Sequence, residues 1–222
     1  MAKEFRTLGE VVLEYPITVI DTSAFLCPME GRPEKGDKSY GAEVLRSQMI
    51  SDSAIFYGEV LERGGRFYIT PKVLKEYIPG NYVLRKQREL DEKGGLPHGE
   101  LELFEVRQRE NEERGKLIKM LESGGFILQL SDEEQDECNF FKKKYAYFIP
   151  KVKIGEVDLD FLISGAVVSS TRRPHICLVS NDYKILYSWK DFMKREKGDP
   201  GKFGFFTRLG FDVFERANSP YQ

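Results

Sequence analysis

Four stretches of this chain place an Asp or Glu where an apolar run stops or a helix begins. They are VIDTSAFL at 19–26, YITPKVLKEYI at 68–78, GEVDLDFLISGA at 155–166 and LVSNDYKIL at 178–186. Apolar neighbours make a carboxylate costly to bury unless something compensates its charge. A fold that gathers such residues must supply that compensation. For several carboxylates together the expected partner is a hard cation, Mg2+ or Mn2+.

The surrounding pattern alternates. ITVI at 17–20 reads as a short buried strand ending at Asp21, and residues 28–40 as a Pro- and Gly-rich loop. Residues 41–63 carry helical spacing that Gly64-Gly65 stops. RFYI at 66–69 reads as a second strand, and Thr70-Pro71 as the N-cap and first turn of a helix that carries Glu76. A turn at 94–99, a charged helix over 100–123 and a capping box of Ser131 with Glu134 follow, the last opening a helix to about Tyr147. Residues 157–170 form an apolar helix, 175–180 a strand, 183–190 a short helix and 211–214 a final strand. This order predicts one domain over 1–222 with a helical insertion at about 80–148. The fold class expected is α/β, a three-layer α-β-α arrangement around a central, mostly parallel sheet.

In such a sheet ligands bind beyond the carboxyl ends of the strands. Asp21 follows one strand directly, Asp182 lies two residues after another, and Glu76 sits one turn into a helix near the same edge. Asp158 and Asp160, two apart, point about 200° from each other on an ideal helix. Asp160 is the expected ligand, Asp158 an N-cap or auxiliary acid, and Glu156 a weaker candidate. Thr22 and Ser23 offer hydroxyls that orient Asp21 or a bound water. Each acid also has an ordinary reading as a cap, an Asx-turn residue or a solvated helix residue.

The rest of the composition narrows the classes. Hydrophobic residues make up 41% of the 222 and charged residues 32%, enough for a core and without a run that would span a membrane. The N-terminus, MAKEFRTLGE, lacks the apolar stretch of a signal peptide, so cytoplasmic residence is expected. Cys27, Cys138 and Cys177 are widely spaced and form no CxxC pair, which favours free thiols. His98 and His175 are the only histidines, too few for a His-rich metal site. Ser23 stands where a haloacid-dehalogenase-type phosphatase needs its second Asp. GRPEKGDKS at 31–39 only echoes a phosphate-binding loop. The net charge of −2 carries no global signature of nucleic-acid binding. Lys142, Lys143, Lys144, Arg172 and Arg173 nevertheless form local basic runs suited either to phosphate contacts or to a solvated face. Tyr145, Tyr147 and Phe148, interleaved with them, suit either base stacking or a helix interface.

The four motifs, in this order, resemble those of PIN-domain nucleases. VIDTSAFL is similar to that family's opening strand with its first metal-binding Asp, and ITPKVLKEY to the segment supplying its Glu. DLDFLISGA and LVSNDYKIL are similar to the segments carrying its third and fourth acids. The motifs cover about 50 residues. A DxD-opened helix with an inserted helical lobe is also similar to the small RNA-free ribonuclease P proteins. The chain departs from the family core in that insertion and in the longer spacing around TRRPH. The resemblance implies a metal-dependent endoribonuclease acting on RNA, with a role in tRNA or rRNA processing. Asp21, Glu76, Asp160 and Asp182 carry over as catalytic and metal-binding residues, Asp158 joins them at the metal, and Mg2+ or Mn2+ is the cofactor. A homo-oligomer is compatible with it. The alternative is a non-catalytic scaffold binding RNA or protein.

Overall fold

The computed structural model describes residues 5–6, 8–25, 37–78, 80–172, 176–196 and 205–209. Its elements run β1 (Phe5–Arg6), α1 (Leu8–Glu14), β2 (Ile17–Ile20), α2 (Thr22–Phe25), α3 (Tyr40–Glu62), α4 (Pro71–Tyr77), α5 (Tyr82–Lys93), α6 (His98–Ser123), α7 (Asp132–Lys144), α8 (Phe148–Val152), α9 (Glu156–Arg172), β3 (Ile176–Val179), α10 (Tyr183–Arg195) and β4 (Phe205–Leu209). Local chemistry sets most of the boundaries. The Ser39 hydroxyl accepts from Ala42 N–H at 3.3 Å to start α3, and Gly64, at φ +84°, lets the chain turn away after it. Thr70 accepts from Val73 N–H at 3.3 Å, with Pro71 in the first turn of α4. The capping box expected at Ser131 and Glu134 is formed.

The three-layer α/β expectation is not met. The chain is mostly helical, and the strands are two to five residues long. The pair at the heart of the sheet is β2 with β3, parallel, from Ile17↔Ile176 to Ile20↔Val179. β4 adds on the far side of β3 and β1 beyond it, giving the order β1-β4-β3-β2. The strand expected at 66–69 is reduced to isolated bridges, Val19↔Tyr68 and Ile69↔Ile127. The loop expected at 28–40 falls mostly, and the strand expected at 211–214 wholly, outside the described residues. Helices bury their apolar faces chiefly on other helices, α3 against α6 and α7 against α9, rather than on a broad sheet. Short runs such as ITVI and RFYI satisfy a strand pattern whatever the size of the sheet they join.

Two apolar clusters flank the β2–β3 pair, whose side chains alternate between them. Ile20, Cys177 and Val179 join Tyr57, Phe67, Leu117 and Leu121 in one. Val19, Ile176 and Leu178 join Cys138, Phe148, Leu162 and Phe192 in the other. Leu117 and Leu121 come from α6 and Cys138 from α7, so the segment at 80–148 builds both cores. Among the described residues no helix is long and apolar enough to cross a membrane.

At the centre of the second cluster, α9 is buried from Leu159 through Ser169. It reaches the sheet at Gly165, where an added Cβ would stand 2.2 Å from Leu178 Cδ2 and 2.9 Å from its Cδ1. Leu178 is fully buried and has nowhere to retreat. Gly165→Ala is therefore expected to destabilise the fold by about 1–3 kcal/mol, the range for overpacking a core. Equilibrium denaturation in urea measures it, and an unchanged midpoint would show that Leu178 repacks freely.

Candidate acidic site

Parallel pairing of β2 and β3 brings their carboxyl ends to one edge. Asp21, one residue past Ile20, then meets Ser180, one residue past Val179. Asp21 N–H continues the ladder to Val179 O at 3.1 Å. The side chain is 3% exposed and sits in a polar cradle. Ser180 donates to Oδ2 at 2.5 Å, Ser23 donates to Oδ1 at 2.9 Å, and Ala24 N–H donates to Oδ1 at 3.0 Å. The Ser23 hydroxyl also accepts from Asn181 N–H at 2.9 Å, which ties the turn after β2 to the turn after β3. Burial nonetheless pushes Asp21 from 3.8 up to about 7, against the lowering effect of the serines and Ala24, and the charge of Asp158 adds to the rise.

Three further acids surround this edge. Thr22, beside Asp21, donates a short hydrogen bond to Glu76 of α4. Asp158 lies in the first turn of α9, not at its N-cap, and its Oδ2 accepts from Gly155 N–H at 2.7 Å. Burial raises it, and the negative charges of Asp182 and Glu76 add to that effect. Asp182 is the N-cap of α10, accepting from Lys184 N–H at 2.7 Å, while its own N–H donates to Ser180 Oγ at 2.9 Å. Four separate segments thus turn Asp21, Glu76, Asp158 and Asp182 toward one another electrostatically.

Asp160 goes elsewhere. Two residues past Asp158, it projects from another side of α9 and pairs through Oδ1 with Lys142 of α7 at 2.5 Å and Lys72 of α4 at 3.6 Å. The structure thus sets Asp158 among the charges of Asp182 and Glu76, and Asp160, the ligand expected from the sequence, against two lysines. The sequence placed them on different sides but not which side met Asp21. The donor chemistry, all carboxylate and hydroxyl oxygen, suits a hard cation. Yet among the described residues no group of three or more His, Cys, Asp or Glu side chains is arranged to hold a metal ion. The acids share an electrostatic neighbourhood without closing into a ligand set. Glu156, the weaker candidate, is exposed.

The expected basic surface is mostly spent on internal pairs. Lys142 holds Asp160, and Lys144 bonds Glu196 at 2.6 Å. Arg172 clamps Glu134 at 2.6 and 2.8 Å, and its hydrogen bonds hold that carboxyl down at about 2. Lys143 is exposed, and Arg173 lies outside the described residues. Tyr145 and Phe148 are each 1% exposed, with ring centroids 5.2 Å apart, so they pack the core rather than offering faces for bases. Ser180 and Asn181 carry no motif of their own; their signal in the sequence is position alone, between a strand end and Asp182.

Compared with protein-family models, with curated proteins and with solved structures, the chain matches none.

The raised Asp21 has a consequence for stability. The unfolded chain gives up this proton near 3.8 and the folded chain near 7. Folding is therefore favoured most by this group below the lower value, and that contribution is lost as pH rises through the upper one. In metal-free buffer the melting temperature is expected to fall between about pH 4 and about pH 7, and Asp21→Asn to flatten that fall. Parallel curves for the two proteins would show that Asp21 ionises as freely as an exposed Asp.

Proposed function

We propose that this chain is a divalent-cation-dependent endoribonuclease whose centre is formed by Asp21, Glu76, Asp158 and Asp182. The observation that carries the reading is the meeting of these acids at the carboxyl edge of β2 and β3, with Asp21 pushed up to about 7 by burial and by Asp158. Gathering like charges around a buried carboxylate is costly, and functional sites are where such costs concentrate. Mg2+ or Mn2+ would supply Lewis-acid polarisation of a phosphodiester and a more acidic water. The chain's part is to position. The Ser23–Ser180–Asn181 network fixes Asp21, the α10 start fixes Asp182, and the Gly155 contact fixes Asp158. Glu76 is exposed and Asp182 and Asp158 half-buried, so all three keep carboxylate surface open to an incoming cation.

The lack of a closed ligand set favours a second reading, a non-catalytic scaffold that binds RNA or protein. One experiment separates the two. Purified protein is incubated with single-stranded and structured RNA in Mn2+, in Mg2+ and in chelator. Cation-dependent cutting is expected, with Asp21→Asn and Asp158→Asn lowering the rate at least about a hundredfold. Asp91→Asn, a change on the exposed face of α5, should leave it unaltered. RNA retention without cutting in either cation would establish the scaffold instead.

A further inference from the structure

A pocket of about 400 Å³ opens between the start of α4, residues 128–130, and the facing sides of α7 and α9. It lies at the small end of the range for small-molecule sites. Gln135, Asn139 and Lys142 line it from one face of α7, at the i, i+4 and i+7 spacing that stacks side chains on successive turns. Asp160, Ser164 and Lys72 face them. Asp160 is 5% exposed. Both of its lysine partners approach through Oδ1, and the carboxylate's other oxygen, Oδ2, offers an acceptor on the pocket wall. Gln135 Nε2 donates to Asn139 Oδ1 at 3.3 Å, so the Asn139 amide N–H groups remain to donate.

This wall sets a carboxylate oxygen beside two ammonium groups. The ligand edge that answers it carries N–H donors next to a carbonyl oxygen. Guanine has that edge, with N1–H and the N2 amino group beside O6. Adenine turns an acceptor, N1, toward the carboxylate, and cytosine does the same with N3. Uracil offers a single N–H between two carbonyls. We infer that the pocket binds a guanine base, Asp160 Oδ2 accepting from the N1–N2 edge while Lys72 or Lys142 donates to O6.

A free nucleotide and a guanine within RNA share this chemistry. The pocket and the acidic site share two helices: Lys72 and Glu76 lie one turn apart on α4, and Asp160 and Asp158 lie two residues apart on different sides of α9. That the base belongs to an RNA held at those acids rests on the nuclease reading; the pocket's preference for guanine does not.

Calorimetry on the full chain in chelator, titrated with the monophosphates GMP, AMP, CMP and UMP, tests the inference. GMP is expected to bind about tenfold more tightly than the others. Asp160→Asn should remove that preference. Asn139 is exposed, so Asn139→Ala keeps the fold intact and should weaken GMP several-fold. No binding, equal binding of all four nucleotides, or GMP binding indifferent to both variants would overturn the inference. A short RNA with one guanine that binds more tightly than GMP would identify RNA as the source, and the reverse order a free nucleotide. No cation and no cleavage enter these measurements, so the nuclease reading can fail while guanine preference stands, and the converse.

Discussion

A helix buried on every side has no solvent face on which to place a charge. α9 is such a helix, with Leu159 to Ser169 enclosed. Its aspartates must therefore find partners within the protein or bear the cost of burial. Asp160 takes the first course, held between Lys142 and Lys72. Asp158, at the less enclosed first turn, is raised by burial and by its acidic neighbours. The contacts of α9 with β3, α4, α7, α8 and α10 follow from the same enclosure. Gly165 is the point where that packing becomes tightest.

The β2–β3 pair does for Asp21 what α9 does for its own acids. Each strand is four residues long, yet parallel pairing fixes which residues follow it onto the edge. Ser180 lands opposite Asp21 because Val179 pairs with Ile20. Hydroxyls and an amide lower the cost of a buried carboxylate without neutralising it, so the balance still favours the proton up to about 7. Asp160, by contrast, has ammonium partners in Lys142 and Lys72. The two acidic environments differ in one respect, the presence of lysine. One acid is a neutralised structural contact at a pocket wall, and the other keeps its need for a cation or a proton.

Legibility in the sequence followed the range of the interaction. Capping residues Thr70 and Ser131 and the Gly64 stop are local, and their signals lie within four residues of their effects. The extent of the sheet was not local. RFYI has the composition of a strand, but only Tyr68 and Ile69 find bridge partners, and whether they do depends on residues 18–20 and 126–128. The acids show the same division. That Asp21 and Asp182 would share an edge was readable from strand ends. That Lys142, 18 residues before Asp160, would neutralise it was not, because α7 had to be laid against α9 first. The aromatic residues after KKK likewise carry no mark in sequence that distinguishes a packed ring from a stacking one. Burial among Phe192, Phe141 and each other decides it.

These pairings also bear on how a polyanion would be held. Lys142, Lys144 and Arg172 are engaged by carboxylates, which limits what these three can give to salt-dependent phosphate binding. The chain's net charge of −2 offers no long-range attraction. On the proposed reading, affinity for a nucleic acid would come from short-range contacts, a base on one side of α9 and a charge-compensated phosphate on the other. Asp158 and Asp160 diverge by about 200° around its axis, and α4 runs beside both, with Glu76 toward one and Lys72 toward the other.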